Sequence, residues 1–476
     1  MNTETIVQAI TKQIMERLDQ SGNIAPEHVY HVPGPSQDGK DGIFEDLEMA
    51  IDCACAAQQQ LPKLGLEKRG RIIEAIRRAG EKNAELLAKI TTEETGMGRP
   101  EDKVNRILLA ALKSPGMEDI KPEVFAGDFG LTLVERQPFG VAVCITPSTN
   151  PTETTICNAI GMIVAGNSAV ISPHPNAKKV THKCVQIINE AIAQAGGPPN
   201  LIVTMTDPTL QKTMKLLKHP KISLVVATGG PGVVKAVMSS GKKAIGAGAG
   251  NPPALVDETA DIVKAARDIV VGASFDNNLN CIGEKEVVVV ESVADQLMAE
   301  FAKQPTYIMK ERRDIDRLTS LLTTAEGDFD RDWVGKDAVC ILQALDIEAP
   351  DNVKLIVYEV EADHITVMEE YMMPILPVVR VPNVQEGIRL AVLMEGGRHH
   401  TAVMHSKNVD NMTAFAQAVK TTIFVKNGSS LNGVGYLGEG HFTATIAGPT
   451  GEGLTSARTF TRAQRCVLVD GFNLRG

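Results

Sequence analysis

The feature of this sequence that most constrains its fold is a repeated alternation of short apolar runs with segments of helical periodicity. A first series has apolar runs at residues 168–171, 201–204, 224–227 and 254–256, with helical segments at 179–194 and 210–218. A second series occupies residues 286–290, 294–303, 338–343, 354–359 and 377–381. Apolar strands that alternate with helices are typical of a mostly parallel sheet with both faces covered. We therefore predict an α/β fold with two α/β domains.

The overall composition argues against two classes of protein. Hydrophobic residues make up 43% of the 476 residues, yet no run approaches the roughly 20 apolar residues that a membrane-spanning helix needs. The formal net charge is -10, which is the wrong sign for a chain that binds nucleic acid by neutralising its phosphates. Neither a membrane span nor a nucleic-acid partner is expected.

The cysteines and the N-terminus indicate the compartment. The eight cysteines form no C-x-x-C pair and no Cys/His cluster with the spacing of a zinc site. We therefore expect free thiols, no metal site and a reducing environment. The first residues lack the basic and then continuously apolar order of a secretory signal, so a cytoplasmic location is expected.

Two segments precede the main domain. Residues 1–20 are expected to form an amphipathic helix, with an apolar stripe made of Ile6, Ile10, Ile14 and Leu18. Residues 21–42 are polar and contain several Pro and Gly residues, which is typical of a flexible linker. A helix with an apolar stripe needs a surface to pack against, either on its own domain or on a partner.

Helices and a β-hairpin are expected before the first series of apolar runs. From residue 43 to about residue 95, apolar residues recur at spacings of three and four, which predicts two or three helices. Alternation between Phe129 and Ile145, with a turn signal at residues 137–140, predicts a hairpin arm that leads into a buried strand.

Two glycine-rich stretches and one cysteine are candidates for chemistry. Residues 228–232 lie between a predicted strand and a helix, and either bind a phosphate through backbone N–H groups or form a tight turn. Residues 246–250 either approach a ligand or neighbouring strand, or form a structural turn. Cys281 lies in a polar, turn-forming segment from which its thiol can face a cleft, whereas Cys144 and Cys340 lie in apolar runs and are expected in the core.

Five motifs, taken in order and spacing, resemble the aldehyde dehydrogenase superfamily over nearly all of residues 43–476. They are Ile145-Thr-Pro-Ser-Thr-Asn-Pro151, Ala165-Gly-Asn-Ser-Ala-Val-Ile-Ser-Pro-His-Pro175, Ala227-Thr-Gly-Gly230, Asn280-Cys281 and Glu369-Glu-Tyr-Met-Met-Pro374. More narrowly, Ser-Pro-His-Pro and Met-Met-Pro-Ile-Leu-Pro are similar to the CoA-acylating acetaldehyde and propionaldehyde dehydrogenases of bacterial microcompartments.

The resemblance implies an aldehyde dehydrogenase-like domain organisation. Residues 43–246 would form a Rossmann-type NAD-binding domain with a hairpin arm at about residues 126–140, and residues 247–445 an α/β catalytic domain. Residues 446–476 would form a C-terminal segment whose strand, at residues 465–469, belongs to the subunit-pairing arm. A homodimer or homotetramer is therefore expected.

The resemblance also implies the catalytic and cofactor-binding residues. Cys281 would attack the aldehyde carbonyl, and the Asn150 side-chain amide and the Cys281 backbone N–H would hold the oxyanion. Hydride would then pass to NAD and leave a thioester on Cys281. Glu370 would match the acid that contacts the nicotinamide ribose. The remaining residues implied at the cofactor are Thr146, Pro147, Ser148, Ser172, Pro173, His174, Thr228, Gly229, Gly230 and Gly248.

One departure from the family pattern determines how the thioester on Cys281 is expected to be released. Hydrolytic members carry a general-base Glu where this chain has Ala247. Without that carboxylate the thioester would persist until the thiol of CoA attacks it, and the product would be acyl-CoA. The alternatives are a hydrolytic enzyme that gives the free acid, a Cys/His acyltransferase without a redox step, and a non-catalytic adaptor. Ser172 replaces the family's adenosine-ribose lysine, which leaves open whether NAD or NADP is preferred.

The resemblance gives the N-terminal helix a role as well. In the microcompartment relatives such a helix docks the enzyme onto shell proteins, so the apolar stripe is expected to bind a shell protein and the enzyme to lie inside a microcompartment. His400, His405 and His441 are expected to make structural hydrogen bonds. Acetaldehyde, propionaldehyde and lactaldehyde all remain candidate substrates.

Overall fold

The computed structural model describes residues 39–472 and residue 474. The predicted N-terminal helix, and residues 21–38 of the predicted linker, lie outside the described residues. The last linker residues belong to the folded domain: Lys40–Gly42 form a 3-10 turn, in which Asp41 Oδ2 accepts a hydrogen bond of 2.8 Å from Gln186 Nε2. The folded chain thus begins before residue 43.

Four helices and one very short strand open the domain. The strand β1 is Ile43–Phe44, and the helices are α1 (Leu47–Gln60), α2 (Gly65–Lys82), α3 (Ala84–Thr95) and α4 (Pro100–Lys113). Helical spacing predicted a helix at Ile43, which is wrong, because Ile43 and Phe44 pair in parallel with Thr204 and Met205. A two-residue strand held by a partner far along the chain leaves no periodicity to detect.

An antiparallel hairpin follows the helices. Its strands are β2 (Glu123–Gly127) and β3 (Gly130–Pro138), and Gly127 pairs with Gly130 across the turn. The hairpin arm is confirmed, but its turn lies at residues 128–129 and not at the predicted residues 137–140. Residues 139 and 140 instead direct the chain into the sheet, because their backbone N–H groups donate hydrogen bonds of 2.8 and 3.0 Å to Asn167 Oδ1.

A six-stranded parallel sheet forms the centre of the first half of the molecule. Its further elements are β4 (Val141–Thr146), α5 (Pro151–Ala165), β5 (Ser168–Pro173), α6 (Lys178–Gln194), β6 (Ile202–Met205), α7 (Leu210–Lys218), β7 (Ile222–Thr228), α8 (Pro231–Met238) and β8 (Lys243–Ala247). The strand order is β1-β6-β5-β4-β7-β8, and every pair is parallel. The chain adds strands on one side of β4 and then on the other, so the direction of addition reverses there, as in a Rossmann-type sheet.

A seven-stranded parallel sheet forms the second half. Its elements are β9 (Pro253–Val256), α9 (Ile262–Ser274), β10 (Glu286–Val290), α10 (Glu291–Phe301), β11 (Thr306–Met309), α11 (Arg312–Leu322), α12 (Ala338–Ala344), β12 (Leu355–Glu359), α13 (Ile365–Met368), β13 (Ile375–Val381), α14 (Val384–Glu395), β14 (Thr401–His405), α15 (Val409–Val419) and β15 (Ile423–Lys426). The strand order is β11-β12-β13-β10-β9-β14-β15. The predicted α/β fold with mostly parallel sheets is confirmed, but residues 254–256, which were expected with the first series of strands, form β9 of the second sheet.

The cysteines follow the predictions with one exception. All eight are free thiols, and Cys144 is fully buried in β4. Cys340 was expected in the core, but it is exposed, because the run it belongs to is the helix α12 and not a buried strand. Ala338, Ile341 and Leu342 face the core from that helix, and Cys340 lies on its other face.

The C-terminal segment returns to the hairpin. Its strands are β16 (Ile446–Ala447), β17 (Gly453–Leu454) and β18 (Thr461–Val469). β18 pairs antiparallel with β3 from Thr461 opposite Pro138 to Val469 opposite Gly130, which gives a three-stranded sheet in the order β18-β3-β2. The predicted strand at 465–469 is part of this longer strand. Among the described residues, no helix has the length and hydropathy to cross a bilayer.

Candidate active site

The predicted cofactor residues of the first sheet come together at one edge. Thr146, Ser172, Pro173 and Thr228 end the adjacent strands β4, β5 and β7, and Pro147, Ser148, His174, Gly229, Gly230 and Gly248 follow the strands β4, β5, β7 and β8. We call these turns the strand-end edge. In open parallel sheets the crevice at the carboxyl ends of the strands, where the strand order reverses, is the usual ligand site.

Hydrogen bonds to groups nearby in space fix the side chains of the strand-end edge. The Ser172 and Thr213 hydroxyls share a hydrogen bond of 2.9 Å, and the Thr228 and Thr445 hydroxyls share one of 2.8 Å. His174 Nδ1 accepts a hydrogen bond of 3.2 Å from the Asn176 backbone N–H. Desolvation and the nearby Arg331 guanidinium lower the pKa of His174, so its ring is neutral at pH 7.

The strand-end edge fits a dinucleotide. A Cβ atom added at Gly230 or Gly232 would meet no atom within 4 Å, so the backbone is open to a ligand there. Gly230 is the N-cap of α8 and no side chain caps that helix. Pro231 has no N–H and the Val233 N–H donates to Gly230 O at 3.0 Å, so the Gly232 N–H is the group of the first turn of α8 that is available to a phosphate, which is favoured at a helix N-terminus.

Cys281 and Asn150 meet in one pocket. Asn150 is buried at the N-cap of α5, directly after the β4 turn, and the half-buried Cys281 lies between α9 and β10. The pocket has a volume of about 450 Å³, counting the part open to solvent. The predicted cleft at Cys281 is therefore present. Its apolar wall is formed by Leu109, Phe275, Ile282, Leu431, Val434, Tyr436, Phe442, Ala444 and Ile446.

The chain upstream of Cys281 has an uncommon backbone conformation. We call residues 275–281 the Cys281 loop. Asp276, Asn277 and Asn278 have φ values of 52°, 55° and 57°, and all three are fully buried. Asn and Asp adopt this left-handed conformation more readily than other residues with a Cβ atom. The Asp-Asn-Asn sequence therefore suits this turn, in which most other residues with a Cβ atom would be strained.

Buried charges from distant helices hold this loop. Asp276 Oδ2 accepts hydrogen bonds from Lys103 Nζ, at 3.0 Å, and from Arg106 Nη1, and Asp276 Oδ1 accepts one of 2.9 Å from the Arg99 backbone N–H. Arg106 Nε forms a further ion pair of 3.0 Å with Glu153 Oε1 on α5. A buried carboxylate is costly unless it is paired. The helix α4 therefore fixes the loop through ion pairs that the sequence analysis did not find.

The surroundings of the Cys281 thiol set its protonation. Burial and the Glu370 carboxylate raise the pKa of Cys281, and Lys285 and Arg106 lower it; the net pKa is about 11. Glu370 Oε1 accepts a hydrogen bond of 3.0 Å from the Gly250 backbone N–H. Glu370 is thus brought close to Cys281, and the resting thiol is protonated at neutral pH.

The second glycine stretch lies against the Cys281 loop. A Cβ atom at Gly250 would approach the Cys281 carbonyl oxygen to 2.4 Å and His400 Cγ to 2.9 Å, so only glycine fits there. Ala247 ends β8, is buried, and accepts a hydrogen bond of 3.1 Å from the Gly229 N–H through its carbonyl oxygen. No carboxylate occupies that position.

The buried histidines are neutral. Burial lowers the pKa of His400 to about 4 and that of His405 to about 4. His400 Nδ1 shares a hydrogen bond of 2.9 Å with the Thr401 hydroxyl. Within the described part of the chain, the Nε2 atoms of His400, His405 and His441 have no hydrogen-bond partner. Their structural role stays a prediction.

Comparison with known proteins agrees with this arrangement. Residues 38–441 match the model of the aldehyde dehydrogenase family. The chain belongs to the aldehyde dehydrogenase family. Over the whole of both chains it is 47% identical, across 479 residues, to the acetaldehyde dehydrogenase (acetylating) EutE of Salmonella typhimurium. It is 46% identical over 442 residues to the propanal dehydrogenase (CoA-propanoylating) of the same organism, covering 93% of this chain and 95% of the relative.

Two solved aldehyde dehydrogenases are similar in structure as well as in sequence. The propionaldehyde dehydrogenase of Rhodopseudomonas palustris, with bound CoA and an acylated cysteine, superposes with a TM-score of 0.90 at 49% identity, over 91% of this chain and 100% of that chain. The propionaldehyde dehydrogenase of the Clostridium phytofermentans fucose utilisation bacterial microcompartment gives a TM-score of 0.90 at 48% identity, with the same coverage.

Proposed function

We propose that this chain oxidises a short-chain aldehyde, with NAD and CoA, to acyl-CoA and NADH. The observation that carries the proposal is the turn at residues 146–150, which belongs both to the strand-end edge and, through Asn150, to the pocket of Cys281. A carbon atom bound to Cys281 is therefore able to reach a dinucleotide held at the strand ends. The similarity to acetylating and propanoylating enzymes supports the same reaction.

The first step is attack of Cys281 on the aldehyde. The thiol loses its proton to solvent, a bond forms between Sγ and the carbonyl carbon, and the π electrons move to the carbonyl oxygen. The Asn150 amide and the Cys281 backbone N–H hold this oxyanion; removing such a donor typically costs about 10²–10³ in kcat. Because burial raises the pKa of the thiol to about 11, the step accelerates with pH.

The second step leaves a thioester on Cys281. The oxyanion collapses to a carbonyl and the carbon loses hydride, for which NAD supplies the acceptor when it is bound. The open backbone at Gly230 and Gly232 would hold the phosphates of NAD, and Thr146 and Ser172, at the ends of β4 and β5, would lie beside them. Glu370, near Cys281, is the acid proposed to contact the nicotinamide ribose.

The third step is attack of the CoA thiol on the thioester. The CoA thiol loses its proton to solvent, its sulfur bonds to the acyl carbon, and the bond from that carbon to Cys281 Sγ breaks, so Cys281 leaves as a thiolate. Hydrolysis would need a carboxylate that activates water, and Ala247 removes the family's base. Glu370 is the carboxylate that raises the pKa of Cys281, but one of its oxygens is bonded to the Gly250 N–H. Transfer to CoA is therefore favoured over hydrolysis.

The pocket walls favour a small apolar acyl group. Phe275, Phe442, Leu431 and Ile446 surround the cleft, and the Arg106 guanidinium in its wall is already paired with Asp276 and Glu153, so a charged chain would find no free counter-charge there. Acetaldehyde and propionaldehyde are the proposed substrates.

The experiment that tests this function is NADH formation followed at 340 nm with purified protein, NAD and propionaldehyde, with and without CoA. Turnover that requires CoA, with propionyl-CoA identified by mass spectrometry, is expected. Equal turnover without CoA, giving propionate, would establish the hydrolytic alternative. No NADH under any condition would instead favour an acyltransferase without a redox step.

We also propose that residues 1–20 dock the enzyme onto a microcompartment shell protein. The support is the apolar stripe of Ile6, Ile10, Ile14 and Leu18, together with the similarity to an enzyme from a bacterial microcompartment. Deleting residues 1–20 is expected to abolish co-purification with shells and to leave turnover intact. Retention of the truncated enzyme in shells would contradict the proposal.

A homodimer or homotetramer, formed through the hairpin arm, is proposed as the working unit. The three-stranded sheet exposes apolar side chains on both of its outer strands, among them Phe125 and Phe129 near the β2 turn and Val467 and Val469 on β18. Exposed apolar patches of this kind mark interfaces. Light scattering of the purified enzyme is expected to give two or four times the mass of the chain, and a monomer would contradict the proposal.

A further inference from the structure

We infer that Lys285 is a positioning residue for the nucleophile. Its ammonium group holds the backbone carbonyls of Asn278 and Asn280, and thereby fixes where Cys281 presents its thiol and its backbone N–H. The inference rests on the proposed role of Cys281. It adds a residue, outside the family motifs identified in the sequence, on which the geometry of the oxyanion site depends.

The contacts of Lys285 all go to the Cys281 loop. Its side chain is fully buried, and Nζ donates hydrogen bonds to Asn278 O at 2.8 Å, to Asn278 Oδ1 at 2.7 Å and to Asn280 O at 3.1 Å. An ammonium group has three protons, so the loop takes all of them. The Tyr371 ring lies 5.9 Å from Nζ, and the Tyr371 hydroxyl donates a hydrogen bond to the Lys285 carbonyl oxygen. The Lys285 side chain is therefore held in one position.

No described carboxylate forms an ion pair of 4.0 Å or less with this ammonium group. The neighbouring Glu284 is instead bonded to Ser430, through the backbone N–H at 2.8 Å and the hydroxyl at 2.7 Å. Glu286 accepts from Asn251 Nδ2 at 3.4 Å. A buried cation without a contact carboxylate is costly, and a methionine of similar length would avoid that cost. Lys285 therefore fixes the position of the Cys281 loop and places a positive charge near the Cys281 thiol.

Few charged groups face Lys285 and Cys281. Burial lowers the pKa of Lys285 to about 8, while Glu370, the Cys281 thiolate, Glu286 and Glu284 raise it. Lys285 and Arg106 are the cations that favour the Cys281 thiolate, and Glu370 opposes it. At pH 7 the ammonium form predominates, so its loss removes both a hydrogen-bonded clamp and a stabilising charge.

The test is the rate at which iodoacetamide alkylates Cys281 at pH 7, followed by mass spectrometry of the Cys281 peptide. In Lys285→Met the rate constant is expected to fall about tenfold, the change produced by one pKa unit in the thiol. The exposed Cys340 serves as an internal reference whose rate stays constant. The pH profile of Cys281 alkylation is expected to shift to higher pH. In steady state, kcat is expected to fall while KM for NAD stays within about twofold.

Arg69→Met is the matched control. Arg69 is also a buried cation that donates to a backbone carbonyl, Val164 O at 3.1 Å, but it does not line the Cys281 pocket. Its removal is expected to lower the melting temperature and to leave the alkylation rate of Cys281 unchanged. An unchanged rate and pH profile in Lys285→Met, or equal slowing in both variants, would overturn the inference.

Two further variants keep the test valid if Lys285→Met does not fold. Lys285→Gln retains a hydrogen-bond donor and is expected to keep more of the alkylation rate than Met would. Asn278→Gly keeps the left-handed backbone, at φ 57°, and removes one of the three acceptors, so a fall of about threefold is expected. Wild-type rates in both would overturn the inference. Failure of the proposed function is seen separately, as NADH formation that survives Cys281→Ala.

Discussion

The strand-end edge and the Cys281 loop are built in different ways. At the strand-end edge the topology of one parallel sheet brings the turns together, and short hydroxyl pairs such as Ser172 with Thr213 hold the side chains. The Cys281 loop has a left-handed backbone. It is held by buried charges: Asp276 of the loop pairs with Lys103 and Arg106 of α4, and Lys285, just before β10, bonds to the loop from the other end. A site made by topology tolerates side-chain changes, whereas a site made by buried charges does not.

The largest effect is expected for Cys281→Ala. NADH formation should fall about 10⁴-fold or more, because the covalent route is lost while the strand-end edge remains. NAD binding, measured by calorimetry, should be unchanged. Cys340→Ala is the matched control, since Cys340 is an exposed cysteine on α12, and it should retain full turnover. Wild-type turnover in Cys281→Ala would show that the two regions do not cooperate as described.

Asn150→Ala is expected to have the next largest effect. Asn150 lies on the turn that links the strand-end edge to the Cys281 pocket, so its loss should lower kcat by about 10²–10³ and leave KM for NAD within a few-fold. Steady-state kinetics with propionaldehyde and saturating CoA measures both. A larger change in KM for NAD than in kcat would place Asn150 in cofactor binding and not at the oxyanion.

A pair of stability measurements compares the two regions directly. Asp276→Asn leaves Lys103 and Arg106 short of a buried partner and is expected to lower the free energy of unfolding by about 3–5 kcal/mol. Ser172→Ala removes one hydroxyl pair at the strand-end edge and should cost about 0.5–1.5 kcal/mol. Urea unfolding of both variants gives the two values. Equal losses would contradict the contrast between the regions.

The difference in construction also explains what the sequence could predict. Strands β4, β5 and β7 are short apolar runs, so their carboxyl ends and the turns after them could be located from the pattern alone, whereas β8 (Lys243–Ala247) has no such run and was seen only as part of a glycine-rich stretch. The loop around Cys281 was visible only as a turn-forming segment, because periodicity does not encode the ion pairs of Asp276 with helix α4. Lys285, next to a strand of valines, had no signal beyond being a charged residue there.

Two predictions from the sequence, the position of the hairpin turn and the burial of Cys340, were wrong for the same reason. The turn signal at residues 137–140 is a real bend, but Asn167, far along the chain, determines that it leads into the sheet and does not close the hairpin. Cys340 lies in an apolar run that forms a helix, so burial follows a period of 3.6 and not the whole run. Both outcomes depend on tertiary contacts and on the type of element, which short runs do not specify.

A pH dependence is also expected at His400, beside the Cys281 loop. Burial lowers its pKa to about 4 from an ordinary value of 6.5. The unfolded state therefore binds more protons than the folded state between these pH values, and the contribution of the neutral histidine is lost as the pH falls from 6.5 to 4. The stability deficit of His400→Gln relative to wild type, measured in urea, should change by up to about 1.4 kcal/mol per pH unit there. A constant deficit would contradict this.

The most direct test of the central claim is a single turnover without CoA. Enzyme is mixed with NAD and excess propionaldehyde, NADH is followed at 340 nm, and the protein is then analysed by peptide mass spectrometry. We predict a burst of NADH equal to the enzyme concentration, a propionyl group on Cys281, and its release as propionyl-CoA when CoA is added. Continuous NADH formation with free propionate, or a burst without acylation of Cys281, would contradict the account.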